Sequence, residues 1–179
     1  QAFDLANTNI GSTGTNPTVG CIIEKNGSVI SSGCTSIKGR PHAEFNALNN
    51  GKNYKNSNLY VTLEPCTHFG LTPPCVNLII KKKIKKVYYS YADNDTRSKN
   101  KCIKVLRKHN IQVNNLLLKK KGTDFYKSYK MQHENNIPFI DAKIAISKDY
   151  YTKNKKEKRI TNLYSKKITH LLRSQYDCI

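Results

Sequence analysis

Four residues in two short segments have the types and spacing that could hold a metal ion and move a proton. His42 and Glu44 lie in "PHAE", and Cys66 and Cys75 lie in "EPCTHFGLTPPC". A catalytic zinc site takes three protein ligands with nitrogen or sulfur donors and leaves a fourth position open. One imidazole and two thiolates supply such a set, so the sequence predicts that His42, Cys66 and Cys75 bind zinc.

Glu44 stands two residues after His42, where its carboxylate can face the open position of the metal without being a ligand. A carboxylate in that place can act as general acid and base, taking a proton from water and delivering it to a leaving amine. The pattern H-x-E, followed by P-C and a second cysteine, is typical of zinc nucleobase deaminases. "HAE" alone is a weak signal, but its combination with the two cysteines is specific.

A closed structural site, holding zinc or an iron–sulfur cluster with His68 as fourth ligand, is the alternative. Structural sites usually space their ligands as C-x₂₋₄-C, whereas the spacer between Cys66 and Cys75 is longer here. A closed site would also leave Glu44 without a task. We therefore expect an open site, with His68 lining the pocket.

Strands alternate with helices along the part of the chain that must position these residues. Asn26-Gly27 separates two β-rich runs and is the strongest short signal for a hairpin. His42 and Cys75 are each predicted to begin a helix, and Cys66 follows the buried-type strand "NLYVTL". Further predicted strands are "KKVYYSY" and "IQVNNLLL", and a further predicted helix is "SKNKCIKVLRKHN". The alternation favours an α/β sheet covered on both faces.

The pattern restarts near residue 138. "PFIDAKIAIS" predicts a strand, "YTKNKKEKR" a solvated loop and "SKKITHLLRSQ" a helix. One strand and one helix cannot close a core, so this segment reads as the truncated start of a second domain. We predict a zinc-dependent domain over 1–122, a linker helix over 123–137 with Thr123 as a candidate N-cap, and the fragment over 138–179.

The amino-acid composition limits the classes of partner that we expect for this chain. The formal net charge is +19, but the excess is mostly lysine scattered among Asn, Ile and Tyr, so we do not expect nucleic acid as the main partner. No run of 18 apolar residues and no signal peptide is visible, so we expect a cytoplasmic protein and no membrane partner. The 6 cysteines form no regular disulfide framework. Formation of a homo-oligomer is left open.

The segments "NPTVGCII", "GRPHAE" and "TLEPCTHFGLTPPC" resemble, in this order, the deaminase domain of the bifunctional riboflavin-biosynthesis deaminase–reductase family. "PFIDAKIAISKD" and the last predicted helix look like the opening of the family's reductase domain, so the resemblance covers nearly the whole chain. It implies a cytidine-deaminase-like three-layer α/β/α sandwich with a mixed central sheet. The truncated start of a dihydrofolate-reductase-like α/β domain would follow.

The resemblance also implies a reaction. The substrate would be 2,5-diamino-6-ribosylamino-4(3H)-pyrimidinone 5′-phosphate, a small pyrimidine ribotide that loses its ring amine as ammonia. One Zn²⁺ per deaminase domain would be held by His42, Cys66 and Cys75, with Glu44 as proton shuttle. NADPH is expected for a complete reductase domain only, and no cofactor-binding residue is assigned.

Five residues are candidate substrate contacts on the same resemblance. Asn16 and His68 are expected to contact the pyrimidine, and Thr72 to line the pocket. Thr35 stands where the family often has a histidine, and Arg173 matches a substrate-binding arginine of the reductase half. These assignments are expectations about this chain's residues.

Other positions depart from the family pattern. Leu71 stands where the family usually has a basic residue suited to the ribose phosphate, and Tyr150 and Arg159 change two motifs of the reductase segment. Reductase activity from this chain alone is therefore not expected. Two alternative functions stay open: a nucleobase deaminase acting on tRNA or cytidine nucleotides, and a non-catalytic zinc-binding remnant of an enzyme.

Overall fold

The computed structural model of the chain describes residues 1–153, 160–176 and 178–179. The chain divides into two compact units, Gln1–Pro138 and Phe139–Ile179, and each is described by itself. The N-terminal unit contains a five-stranded sheet with strands β1 Gly20–Lys25, β2 Ser28–Cys34, β3 Asn58–Leu63, β4 Lys86–Tyr91 and β5 Gln112–Asn114. Its helices are α1 Ala2–Asn7, α2 Ala43–Leu48, α3 Cys75–Lys81, α4 Cys102–Lys108, α5 Lys119–Phe125 and α6 Lys127–Asn135.

The sheet is mixed, with the strand order β2-β1-β3-β4-β5. Strand β1 runs antiparallel to both β2 and β3, whereas β3, β4 and β5 are parallel. The β1–β2 turn has positive φ at Asn26 (52°) and Gly27 (79°). A two-residue turn that follows the twist of a hairpin requires this backbone, and Asn-Gly adopts it readily. The predicted hairpin and mixed sheet are confirmed.

Two glycines show that helices cover both faces of the sheet. A β-carbon on Gly20 would lie 1.9 Å from the carbonyl oxygen of Ala2 in α1, and one on Gly33 would lie 2.6 Å from that of Ala43 in α2. Cys21 pairs with Gly33 across the β1–β2 ladder. Because successive residues of a strand point to opposite faces, Gly20 and Cys21 place α1 and α2 on opposite sides. The predicted three-layer arrangement is confirmed.

The core of this unit lies between the sheet and these helices. Leu48 of α2, Ile79 of α3 and Leu106 of α4 are fully buried. On the other face the ring of Phe3 meets that of Phe125 edge-on, with centroids 5.3 Å apart, which joins α1 to α5. Burial of this apolar surface is the main favourable contribution to folding.

Two elements differ from the prediction. Strand β5 spans three residues, because the chain leaves the sheet at Asn115 rather than continuing along "NLLL". The predicted linker helix starts earlier, at Lys119, and breaks at Tyr126. Thr123 therefore lies inside α5, where its hydroxyl donates to the carbonyl oxygen of Lys119, and its assignment as an N-cap was wrong.

In the C-terminal unit, the predicted helix is confirmed as α7, Leu163–Arg173, whose N-cap Asn162 accepts a hydrogen bond from the Ser165 amide. The strand predicted for "PFIDAKIAIS" is wrong: these residues form no strand, and none of the unit's described residues offers a partner for one. The prediction of a loop in "YTKNKKEKR" falls mostly on 154–159, outside the described residues, as does Arg159. None of the helices in the described part of the chain has the length and apolar character needed to cross a bilayer.

Candidate metal centre

The element ends bring the four predicted residues to one place. His42 immediately precedes α2 with an extended backbone (φ −69°, ψ 159°), and Glu44 lies in the first turn of that helix. Cys75 is the first residue of α3, and Cys66 follows the end of β3 by three residues. Helix starts and the carboxyl end of a strand are fixed by the sheet and core behind them, which gives each side chain a defined position.

The three candidate ligands have a spacing that suits zinc. Nδ1 of His42 lies 3.7 Å from Sγ of Cys66 and 3.4 Å from Sγ of Cys75. All three atoms lie within 4.8 Å of one another. Ordinary zinc–sulfur and zinc–nitrogen bond lengths in a tetrahedral site separate nitrogen from sulfur by about 3.6 Å. The donor set and its geometry therefore fit one Zn²⁺.

The surroundings of Cys66 stabilise a thiolate. Hydrogen bonding with the Cys75 thiol, and then with His42 and the Cys75 amide, lowers the pKa of Cys66 to about 4 despite its burial. The Cys75 amide, at the start of α3, lies 3.2 Å from the Cys66 sulfur. Because cysteine binds metals as thiolate, this environment prepares Cys66 as a ligand.

Glu44 is 4% exposed and has the environment of an acid–base group. Burial, followed by the negative charge of Cys66, raises the pKa of Glu44 to about 7. A group with a pKa close to the working pH can both accept and release a proton during a reaction. The arrangement can therefore combine a metal site with proton transfer.

Glu64, which the sequence reading left without a role, ties a loop to the centre. Its carboxylate, 2% exposed, accepts hydrogen bonds from the amides of Asp93, Asn100 and Cys102 at 3.1, 3.0 and 3.1 Å. The residues between β4 and α4 are thereby held beside the cysteine segment. Its place in "EPC" was the available sequence signal, but its partners are distant in sequence and could not be named.

His68 lies beside this loop rather than in the ligand cluster. Its Nδ1 is 2.7 Å from Oγ of Ser98, and the same oxygen accepts the amide of Thr67 at 3.2 Å. The cluster of potential ligands at this place in the described chain contains His42, Cys66 and Cys75 and not His68. This arrangement favours an open site over a closed one.

Asn16 is bonded to the segment that precedes His42, and Thr35 is bonded to the segment that precedes β1. Nδ2 of Asn16 donates to the carbonyl oxygen of Gly39 at 3.1 Å. Thr35 is 2% exposed, and its hydroxyl accepts from the Val19 amide at 2.9 Å and donates to the carbonyl of Pro17 at 3.4 Å. Thr35 thus holds the backbone next to Asn16, and direct contact of either residue with a substrate stays a prediction.

Thr72 is bonded to an arginine that the sequence reading did not single out. Nη1 of Arg40 donates to Oγ1 of Thr72 at 2.7 Å and lies 3.5 Å from Nε2 of His42. Thr72 and His42 line a cavity of about 330 Å³. Leu71, where the resemblance led us to expect a basic residue, is 89% exposed.

Arg173 lies in the other unit. It belongs to the last turn of α7 and lines a cleft of the C-terminal unit together with Lys143, Lys166 and His170. Its predicted role in a reductase stays a prediction.

Comparison with known proteins identifies the family. Residues 1–91 match the model of the cytidine and deoxycytidylate deaminase zinc-binding region. The chain belongs to this deaminase family. The matched residues include the three candidate ligands and Glu44, and the predicted resemblance to the riboflavin-biosynthesis deaminases is confirmed by relatives of that kind.

The chain is 36% identical over 177 residues to riboflavin biosynthesis protein RibD of Aquifex aeolicus, covering 97% of this chain and 50% of the relative. It is 37% identical over 139 residues to diaminohydroxyphosphoribosylamino-pyrimidine deaminase of Buchnera aphidicola subsp. Acyrthosiphon pisum, covering 77% of this chain and 95% of the relative. The chain thus spans about half the length of RibD from Aquifex aeolicus and nearly all of the shorter deaminase.

Solved structures of similar fold agree with this assignment. RibD of Acinetobacter baumannii matches with a TM-score of 0.85 at 30% identity, over 98% of this chain and 50% of that one. A diaminohydroxyphosphoribosylaminopyrimidine deaminase/5-amino-6-(5-phosphoribosylamino)uracil reductase from Thermotoga maritima matches with a TM-score of 0.86 at 29% identity, over 96% and 50%.

Proposed function

We propose that this chain catalyses the zinc-dependent hydrolytic deamination of 2,5-diamino-6-ribosylamino-4(3H)-pyrimidinone 5′-phosphate in riboflavin biosynthesis. The observation that carries the proposal is the placement of buried Glu44 beside a three-ligand set with zinc spacing. The relative from Buchnera aphidicola supports the substrate, because its name describes a deaminase of this pyrimidine and the chain spans 95% of it.

In the reaction, water adds to the ring carbon that bears the amine, the bond from this carbon to the amine nitrogen breaks, and ammonia is released. Zinc, bound by His42, Cys66 and Cys75, would supply a Lewis acid that activates water. Glu44 accepts the proton that the water gives up and delivers it to the nitrogen that leaves. One carboxyl can perform both transfers because the first leaves it protonated for the second.

The remaining residues orient the substrate and the machinery. Asn16 and His68 are proposed to hold the pyrimidine, with His68 fixed by its hydrogen bond to Ser98. Because Nδ1 is occupied by this bond, Nε2 is the nitrogen that can meet the ring. Glu64 holds the loop that carries Ser98 in place through three backbone amides.

The C-terminal unit contributes no step to this reaction. NADPH-dependent reduction of the product belongs, in this proposal, to a chain that contains a complete reductase domain. Arg173 would contact the substrate of that second reaction.

The decisive experiment measures ammonia release by the purified, zinc-loaded chain with three substrates: the diaminopyrimidine ribotide, cytidine and tRNA. We expect release from the ribotide alone. Activity on tRNA or cytidine without activity on the ribotide would instead indicate a nucleobase deaminase. A folded, zinc-loaded protein that is inert toward all three would indicate a non-catalytic remnant.

A further inference from the structure

Arg40 lies at the edge of the metal centre and is not required as a ligand or as an acid–base group. Its side chain is partly buried, and its Nη1 donates to Thr72 at 2.7 Å. Thr72 belongs to the segment that runs from Cys66 to Cys75, which contains no Lys or Arg. Arg40 therefore brings a positive charge to a segment that has none of its own.

The guanidinium and the His68 ring converge on the space above Gly70. A β-carbon built on Gly70 would lie 3.5 Å from Nη2 of Arg40 and 3.8 Å from Nε2 of His68. Residue 70 has no side chain that would separate these two nitrogen atoms. The free nitrogen of His68 and the guanidinium of Arg40 thus lie on the same side of this segment, so a ligand that meets His68 with one end can reach Arg40 with the other.

The charge of Arg40 is also uncompensated. Among the residues that the structure describes, no carboxylate lies within 4.0 Å of its guanidinium, and Nη2 has no hydrogen-bond acceptor. Asp95, on the loop that carries Ser98, is bonded to Arg97. A planar guanidinium with free donors is well suited to phosphate, which it can bind through two parallel hydrogen bonds.

We propose that Arg40 binds the 5′-phosphate of the ribotide and makes the enzyme prefer the ribotide over the corresponding riboside. The phosphate binds to the guanidinium on the side that faces Gly70, with the Thr72 hydroxyl beside it, and Nε2 of His68 is left to the pyrimidine. Leu71 then needs no charge, because the cation comes from the segment before His42. This inference rests on the proposed function, since it assigns one end of that substrate.

The first test compares kinetic constants for the ribotide and the riboside in the wild type and in Arg40→Ala. The variant should raise KM for the ribotide about 10- to 100-fold, the loss expected for a hydrogen bond to a charged group. KM for the riboside and kcat for both should change little. An equal rise of KM for both substrates, or a fall in kcat together with zinc content, would overturn the proposal, because Arg40 would then act only by holding Thr72.

Two further variants sharpen this test. Arg107→Ala removes the same side chain from the exposed last turn of α4 and should leave both KM values unchanged, which controls for net charge. The double variant Arg40→Ala/Leu71→Arg moves the charge to the neighbouring exposed position and should recover most of the lost affinity for the ribotide. If the double variant recovers no affinity and Arg107→Ala raises KM for the ribotide as much as Arg40→Ala does, the effect is one of general charge. That result would contradict a local phosphate site.

A binding measurement separates this inference from the proposed function. Ribose 5-phosphate, titrated into the zinc-loaded chain, should shift the NMR signals of residues around Gly70, whereas ribose should not. The shifts should vanish in Arg40→Ala and persist in Arg107→Ala. If the wild type shows these shifts but deaminates nothing, the phosphate site stands and the proposed function fails. If the wild type deaminates the ribotide but Arg40→Ala binds ribose 5-phosphate normally, the inference fails and the function stands.

Discussion

The two units of the chain differ in what surrounds their apolar side chains. In Gln1–Pro138, leucines such as Leu48 and Leu106 have no exposed surface. In Phe139–Ile179, helix α7 has no buried residue, and Leu171 is 64% exposed. Both units contain a well-formed helix, so secondary structure alone does not distinguish them. The difference is a packed core, which the N-terminal unit has and the described residues of the C-terminal unit lack.

This difference explains where chemistry can occur. A metal site needs its ligands held within a fraction of an ångström, and packing of the supporting elements provides that precision. The three candidate ligands stand at the ends of elements whose other residues fill the core. Arg173 stands on α7, which buries no side chain against the other described residues of its unit. Matched substitutions in the two units test this contrast directly.

The largest contrast should come from cysteines. Cys75→Ala removes a buried candidate ligand. If the assignment is right, the two other candidates should hold zinc poorly, and bound zinc and ammonia release should both fall to near zero. Cys178→Ala removes an exposed cysteine of the C-terminal unit and should change neither. Zinc content by mass spectrometry and an ammonia assay measure both outcomes. Retention of zinc by Cys75→Ala would refute the ligand assignment.

The next contrast comes from matched substitutions of one acidic residue in each unit. Glu44→Gln keeps the size of the side chain but removes its ability to carry a proton, so kcat should fall about 10²- to 10⁴-fold, the usual contribution of general acid–base catalysis. Zinc content should be unchanged. Asp149→Asn, at an exposed position of the C-terminal unit, should leave kcat at the wild-type value. A Glu44→Gln variant with wild-type turnover would require another proton carrier.

The same contrast limits what could be predicted from the sequence. The grouping of His42, Cys66 and Cys75 was predictable because the residue types are rare and stand at strong local signals for helix starts and a strand end. Glu64 and Arg40 were missed because the amides that bond to Glu64 and the Thr72 hydroxyl that bonds to Arg40 lie about 30 residues or more away, and only the folded chain brings them together. Residue types and their spacing can indicate a metal site, but hydrogen bonds between distant loops leave no local pattern in the sequence.

Secondary structure could likewise be predicted where it depends on neighbouring residues and not where it depends on distant ones. The Asn26-Gly27 hairpin depends on backbone preferences of two residues, and it formed as predicted. The segment "PFIDAKIAIS" has the composition of a strand, but a strand is stable only where neighbouring backbone groups pair with it. Among the described residues no partner strand is present for it. β-Structure therefore could not be predicted reliably from composition alone at this end of the chain.

Replacement of a leucine by alanine should lower the free energy of unfolding by different amounts in the two units. Leu106→Ala creates a cavity beneath α4 and should lower the free energy of unfolding by about 2–5 kcal/mol. Leu171→Ala removes the same atoms from the exposed face of α7 and should change it by less than about 0.5 kcal/mol. Guanidinium chloride unfolding followed by circular dichroism measures both. A large effect of Leu171→Ala would mean that α7 buries this side chain in solution, and the contrast between the units would fail.

The smallest contrast removes a single hydroxyl from each unit. Tyr126 is buried, and its hydroxyl bonds to Thr62 at 2.5 Å and donates to the carbonyl oxygen of Thr18 at 3.1 Å. Tyr126→Phe removes both bonds, although the Thr62 hydroxyl keeps its bond from the Gly20 amide, and should cost about 1–2 kcal/mol.

The hydroxyl of Tyr176 donates to Asp141, and both residues are exposed. Water can replace that bond, so Tyr176→Phe should change the free energy of unfolding by less than about 0.5 kcal/mol. Each variant loses one oxygen atom, and Tyr126→Phe also loses the bond to the Thr18 carbonyl, so their difference measures burial together with that second bond. Equal costs for the two variants would mean that water reaches Tyr126, and that the face of the sheet under α5 is less tightly packed than its contacts indicate.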